Sequence, residues 1–280
     1  MALSDSGGVI CRNFRGKTDN QNMNNQRFDI LGCALQGIRS VFAEWRYLSS
    51  IALVPVGLTA LITLFKAYGI ENKTLTTNVL ATLPTSALAA WFMFLQTRLL
   101  VFGERGGQNS AVSGDERRRA FEASMILWLL TSLASLGFTT FVAYWGEQMQ
   151  QGGSTGLTAV GYLMLGAAFW ALRFSLVHIL GAIGYSIRSY IYRVNGVMVS
   201  LRIFAMMMIV FFPVSFVSGP VAQALLDAAQ REAPMMQIFG LQLILCALTF
   251  IFLAFFNAAG VFALREMLKL DVAAAQGDKR

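Results

Sequence analysis

The chain has 280 residues, of which 56% are hydrophobic and only 13% charged, with mean hydropathy +0.57; soluble domains carry about 25% charged residues. That balance excludes an ordinary water-soluble domain, and long runs free of Asp, Glu, Lys and Arg point to spanning helices rather than the short alternating segments of a β-barrel. The net charge of +7 is no argument for nucleic acid, because the basic residues sit mostly at the ends of apolar segments, where they act as topology signals.

Residues 1–27, with Gly7-Gly8, Arg12, Arg15, Lys17 and an Asn/Gln-rich run, contain no apolar core of signal-peptide length and read as a mobile tail. Over residues 28–46, Leu31, Leu35, Ile38, Phe42 and Trp45 recur at steps of four and three, while Asp29, Gln36, Arg39 and Glu44 fall elsewhere. That spacing predicts an amphipathic helix lying in the membrane interface, with docking on a soluble partner as the competing reading.

The first span is predicted over Leu48 to Ile70, with Pro55 and Gly57 inside it, and the second over Val79 to Val101, with Pro84 near its start. Ser113 and Glu116 have capping-box spacing, so a third helix starts there and enters the membrane near Phe121. The fourth span is expected from Leu157 to Leu180, followed by a basic amphipathic stretch from Tyr185 to Asn195. A fifth runs from Val197 to Val217 and is expected to end at Gly219-Pro220, with a short surface helix after it. The sixth, Met235 to Leu264, is longer than the hydrocarbon needs. The fold class is therefore all-α and polytopic: six transmembrane helices over residues 47–270, and a tail at 271–280.

Orientation follows from the basic residues. With the N-terminus inside, the tail and first helix hold six Lys and Arg, the second-to-third connection five, the fourth-to-fifth four and the C-terminus four. Only Lys66, Lys73 and Arg231 fall outside, so both termini are expected in the cytoplasm. Asn72-Lys73-Thr74 is formally a glycosylation sequon on the outer side, close to the membrane.

Few residues carry a chemical signal. Cys11, Cys33 and Cys246 form no CxxC pair, and His178 is the one histidine, so neither a metal site nor a bis-histidine haem is expected. His178 reads as structural, and Asn257, deep in the sixth span, as an interhelical hydrogen-bonding group. Arg98, Arg173 and Arg202 lie inside their apolar segments within about two turns of the inner end. Two readings stay open for them. They snorkel or form an ion pair, with Glu104 a partner within reach, or they join Arg188 and Arg193 in a basic pocket for an anionic headgroup or phosphate-bearing ligand. No carboxylate falls near a predicted midplane, which argues against proton- or cation-coupled transport. Without a P-loop, a GxSxG elbow or an HExxH run, no enzymatic activity and no cofactor are expected.

Three stretches carry a resemblance: WFMFLQTRLLVFGE (Trp91 to Glu104), LRFSLVHILGAIG (Leu172 to Gly184) and SIRSYIYRVNGVMVSLR (Ser186 to Arg202). Together they resemble bacterial six-helix inner-membrane proteins akin to the membrane domain attached to some glycerophosphodiester phosphodiesterases. The shared elements are Arg98 leading to Gly103-Glu104, then Arg173, Ser175 and Leu176, then Arg193, Asn195 and Gly196. His178 departs from the pattern, which has an apolar residue near a proline there. The related phosphodiesterases carry their chemistry on a separate soluble domain, so the resemblance implies a bacterial inner-membrane location and architecture rather than catalysis. The function expected is that of an accessory or scaffolding membrane protein, binding lipid or a membrane or cytoplasmic protein partner at its cytoplasmic face, with no nucleic acid partner and with a homodimer compatible. The alternative is a small transporter or exporter of amphiphilic or lipid-like solutes. A transporter predicts a polar cavity reaching the midplane, and a scaffold a dry interior with its polar residues gathered at one face.

Overall fold

The computed structural model describes residues 28–69, 75–105, 113–150, 155–194 and 196–268. The two expected tails and the Asn72-Lys73-Thr74 sequon lie outside them. In chain order the helices are α1 (Ile30–Ala43), α2 (Trp45–Gly69), α3 (Leu75–Phe102), α4 (Gly114–Gln150), α5 (Thr155–Ala171), a 3₁₀ segment (Leu172–Leu176), α6 (Val177–Ile183), α7 (Ile187–Arg193), α8 (Val197–Gln230) and α9 (Met235–Leu268). Among the described residues there is no strand. Six stretches are long and apolar enough to cross a membrane: Trp45–Ala67, Thr82–Phe102, Gly114–Glu147, Ala159–Ile183, Val197–Gln230 and Met235–Leu268. The protein is an all-α, multi-pass membrane protein.

Local chemistry explains several of the boundaries. The Glu116 amide donates to Ser113 Oγ at 3.3 Å, so α4 opens on the cap its spacing predicts. Asp29 caps α1, its Oδ1 accepting from the Leu31 amide at 3.1 Å. Two expectations fail. The fifth span does not end at Gly219-Pro220, because α8 continues through Pro213 and Pro220 to Gln230 and absorbs the predicted surface helix. A proline removes one backbone donor, whereas ending the helix there leaves four carbonyls to be satisfied, and in a membrane the smaller loss prevails. The fourth span, expected as one helix, is interrupted by the 3₁₀ segment at Leu172–Leu176 with neither Gly nor Pro to announce it.

Packing is tightest at one end of the bundle, the end where α1 sits and α9 finishes. There α9 is buried almost continuously from Ala254 to Leu268, against Phe92, Met93, Leu176, Ile179 and Leu180. At the far end large apolar side chains such as Leu133, Leu163, Phe212, Phe216 and Met236 face outward, as helices solvated by lipid allow. The 34 residues of α9 make it about 51 Å long, well beyond a hydrocarbon core of about 30 Å.

The first helix is present, though shorter than residues 28–46, since the chain turns at Glu44 and α2 begins at Trp45. Its expected apolar stripe faces outward: Leu31, Leu35, Phe42 and Trp45 are all exposed. What holds α1 to the bundle is a second face of smaller residues, with Cys33, Ala34, Gly37 and Val41 buried. A side chain at Gly37 would place Cβ 2.6 Å from the Ala259 amide nitrogen, so the two backbones are nearly touching. The Asp29 amide donates to Glu266 Oε2 at 2.8 Å and the Phe42 ring lies 5.8 Å from that of Phe255, so α1 runs antiparallel along the last turns of α9. Arg202 of α8 ties down its entrance by donating from Nη1 to the Phe28 carbonyl at 3.0 Å.

Replacing Gly37 by Ala is expected to force α1 off α9 and to cost about 1–3 kcal/mol, the usual penalty of overpacking. Gly57→Ala is the control, since a Cβ there meets nothing within 4 Å. Thermal unfolding in detergent should show a lowered midpoint for the first variant only.

Candidate functional site

Two polar clusters sit at the α1 end, and both begin on the stretch Gln96-Thr97-Arg98 of α3. The first is an ion pair. Arg98 is 3% exposed and Glu104 7%. Arg98 donates from Nε to Glu104 Oε2 at 2.8 Å and from Nη2 to Oε1 at 2.7 Å, a two-point geometry that only the guanidinium fork provides. Its Nη1 donates to the Ala182 carbonyl of α6 at 3.3 Å, and its plane lies 4.3 Å from the centre of the Phe102 ring. The local sequence makes this possible. Gly103 closes α3 with φ +68, a left-handed conformation that costs other residues about 1–2 kcal/mol, and this turn sends the next residue back to meet a side chain six positions earlier.

The second cluster is centred on Asn257 of α9. Its Nδ2 donates to the Met93 carbonyl at 3.3 Å, Gln96 Oε1 at 3.1 Å and Thr97 Oγ1 at 3.1 Å, and Gln96 Nε2 donates to the Ala254 carbonyl at 2.7 Å. Asn257 Oδ1 lies 3.0 Å from His178 Nε2, whose ring makes a T-shaped contact with Trp128 of α4 at 5.1 Å. Gln96, Thr97, His178 and Asn257 are all essentially inaccessible. The cluster joins α3, α6 and α9, and its ring contact reaches α4.

Beside it lies the break in the fourth span. 3₁₀ hydrogen bonds are poorer than α-helical ones, and three carbonyls in or next to the break gain side-chain partners. Ser200 Oγ donates to Trp170 at 3.0 Å, the Tyr190 hydroxyl donates to Arg173 at 2.5 Å, and His178 Nδ1 lies 2.9 Å from the Ser175 carbonyl. Burial pushes the Tyr190 phenol above its ordinary range despite the opposing charge of Arg173, so it stays a donor. The Arg173 guanidinium is packed 3.8 Å over the Trp170 ring and 4.8 Å from that of Phe174.

The expected basic pocket is thus divided. Arg98 and Glu104 are brought together as an ion pair. Arg173 is committed to two aromatic rings, Arg202 to the Phe28 carbonyl, and Arg188 is exposed and lies 5.7 Å from the Tyr192 ring. The side chain of Arg193 lies outside the described residues. His178 and Asn257 fall in one network, while Gln96 and Thr97 escaped notice in the sequence. Uncharged polar residues within an apolar run are the signal that marks them. Near the α1–α9 contact, burial and the carboxylates of Glu266 and Asp29 push the Cys33 thiol up to about 12, which keeps it protonated and unreactive.

Comparison with family models, curated proteins and solved structures finds no match. The chemistry of these clusters therefore rests on their geometry.

Glu104→Gln strands a buried guanidinium and is expected to cost roughly 3–5 kcal/mol, whereas the double replacement Arg98→Met with Glu104→Leu should recover most of that loss. Glu122→Gln removes the exposed partner of Arg118 and should leave stability unchanged. Unfolding midpoints of the purified variants give the comparison.

Proposed function

We propose that this is an accessory or scaffolding protein of the bacterial inner membrane, with both termini cytoplasmic, which binds anionic lipid through the surface around α1. The observation that carries the reading is the division of labour on that helix. Its small-residue face is locked to α9, and its large apolar stripe of Leu31, Leu35, Phe42 and Trp45 is turned outward beside the exposed Arg39 and Arg46. An apolar stripe flanked by arginines is the arrangement that takes acyl chains on one side and phosphate headgroups on the other. The distribution of buried polar groups supports a scaffold over a transporter. Gln96, Thr97, Arg98, Glu104, Ser124, Arg173, His178, Ser200 and Asn257 gather toward the α1 end, and only Ser86 and Gln242 lie toward the other. The headgroup site moves accordingly from the buried arginines to exposed ones: Arg39, Arg46 and Arg188.

Mass spectrometry of lipid retained in mild detergent tests this. Arg39→Gln, Arg46→Gln and Arg188→Gln together should deplete anionic phospholipid, at about 1 kcal/mol per charge removed, while the unfolding midpoint holds. Retention unchanged by the triple replacement would sink the lipid reading. A protein recovered in stoichiometric amount would put a partner in the lipid's place, and water-accessible labelling along a path to the midplane would favour export of amphiphilic solutes. Orientation is checked separately, since a C-terminal fluorescent-protein fusion should fluoresce and a C-terminal alkaline-phosphatase fusion should be inactive.

A further inference from the structure

The Asn257 cluster contains one acceptor too many for a neutral histidine. The orientation of each amide is fixed in turn. Gln96 Nε2 donates to the Ala254 carbonyl, which leaves Gln96 Oε1 facing Asn257. Asn257 Nδ2 faces that oxygen and the Met93 carbonyl, neither of which has a proton to give, so it must be the donor. Asn257 Oδ1 then faces His178 Nε2 at 3.0 Å, while the Ser175 carbonyl faces Nδ1 at 2.9 Å. Both ring nitrogens therefore meet acceptors, and a neutral imidazole has a single N–H. Turning Asn257 over relieves the ring but sets Oδ1 at the 3.1 Å position facing Gln96 Oε1. Turning Gln96 as well sets its oxygen 2.7 Å from the Ala254 carbonyl. Every neutral arrangement moves the conflict without removing it. The imidazolium removes it.

We propose that the cluster is an intramembrane proton-binding site, in which His178 carries a proton on both ring nitrogens and so latches α6 to α9 and α3. Proton loss breaks one ring N–H bond, leaves the electron pair on that nitrogen and passes the proton to water, and the contact at that nitrogen opens. A charge in hydrocarbon is costly. Here two charge-assisted bonds to oxygen and the Trp128 ring, at a distance where an indole stabilises a cation, offset that cost. The charged groups on neighbouring elements are committed elsewhere. On α3, Arg98 is held by Glu104 and by the Ala182 carbonyl, one turn along α6 from the ring. Arg173 of the 3₁₀ segment is stacked on Trp170 and Phe174, Arg188 of α7 lies over Tyr192, and the Tyr190 hydroxyl is bonded to the Arg173 carbonyl. On α4, Arg118 pairs with Glu122, and on α9 Glu266 binds the Asp29 amide and Arg265 lies near the Phe262 ring.

His178 is the only histidine in the chain, so ¹⁵N-histidine labelling of the full protein in lipid bilayers reports on this ring alone. Across about pH 5 to 8, the expected spectrum has both nitrogens protonated, either throughout or below a midpoint above which one becomes unprotonated. A ring that stays neutral over that whole range overturns the proposal. Asn257→Leu removes the acceptor at Nε2 and should lower the midpoint by about one pH unit or more; an unmoved midpoint also overturns it. Should that variant fail to fold, the wild-type spectrum decides alone.

Discussion

Asn257 spends both halves of its amide on other helices, and this constrains everything around it. Its nitrogen serves α3 and its oxygen faces α6. In water a slipped contact is repaired by solvent. In a dry interior, a helix shift that breaks one of these bonds leaves a polar atom with nothing to replace its partner, at a cost of a few kcal/mol. Close packing next to the network follows, with Gly260 so near α6 and the 3₁₀ segment that a Cβ would lie 2.7 Å from a Leu176 methyl carbon.

The same end of the molecule solves a second electrostatic problem by geometry rather than by solvent. Arg98 cannot reach water, so the chain brings a carboxylate to it through the left-handed turn at Gly103. The exposed pair between Arg105 and Glu44, at 3.0 Å, then ties the end of α3 to the corner between α1 and α2. One short sequence, from Gln96 to Arg105, thus contributes to the buried network, the buried ion pair and the surface tie.

Much of this architecture is legible in the sequence, because hydrocarbon imposes a simple rule on composition and length. The six spans follow from it directly. What escapes is whatever depends on neighbours. Pro220 is a helix terminator in water, but α8 continues through it because its alternative is worse. The 3₁₀ break at Leu172–Leu176 has no local marker, and its carbonyls gain partners from Ser200 and Tyr190, far along the chain. On α1 the conspicuous apolar stripe draws the eye, yet adhesion comes from Cys33, Ala34, Gly37 and Val41, small residues that matter only once α9 lies against them. Arg173 and Arg202 look alike as charges in apolar segments, and nothing local distinguishes the one that stacks on rings from the one that holds a backbone carbonyl.

The seam between α1 and α9 also sets an order of events. Residues 29 and 266 meet across 237 positions of sequence, so the first helix to leave the ribosome must wait for the last. Until α9 is inserted, the small-residue face of α1 has no surface to match, and the amide of Asp29 has no carboxylate. The seam therefore closes last and acts as a completion mark. A chain truncated before α9, or one whose final helix is slow to insert, displays an unmatched helix at its beginning, where quality-control proteases can distinguish unfinished molecules from finished ones.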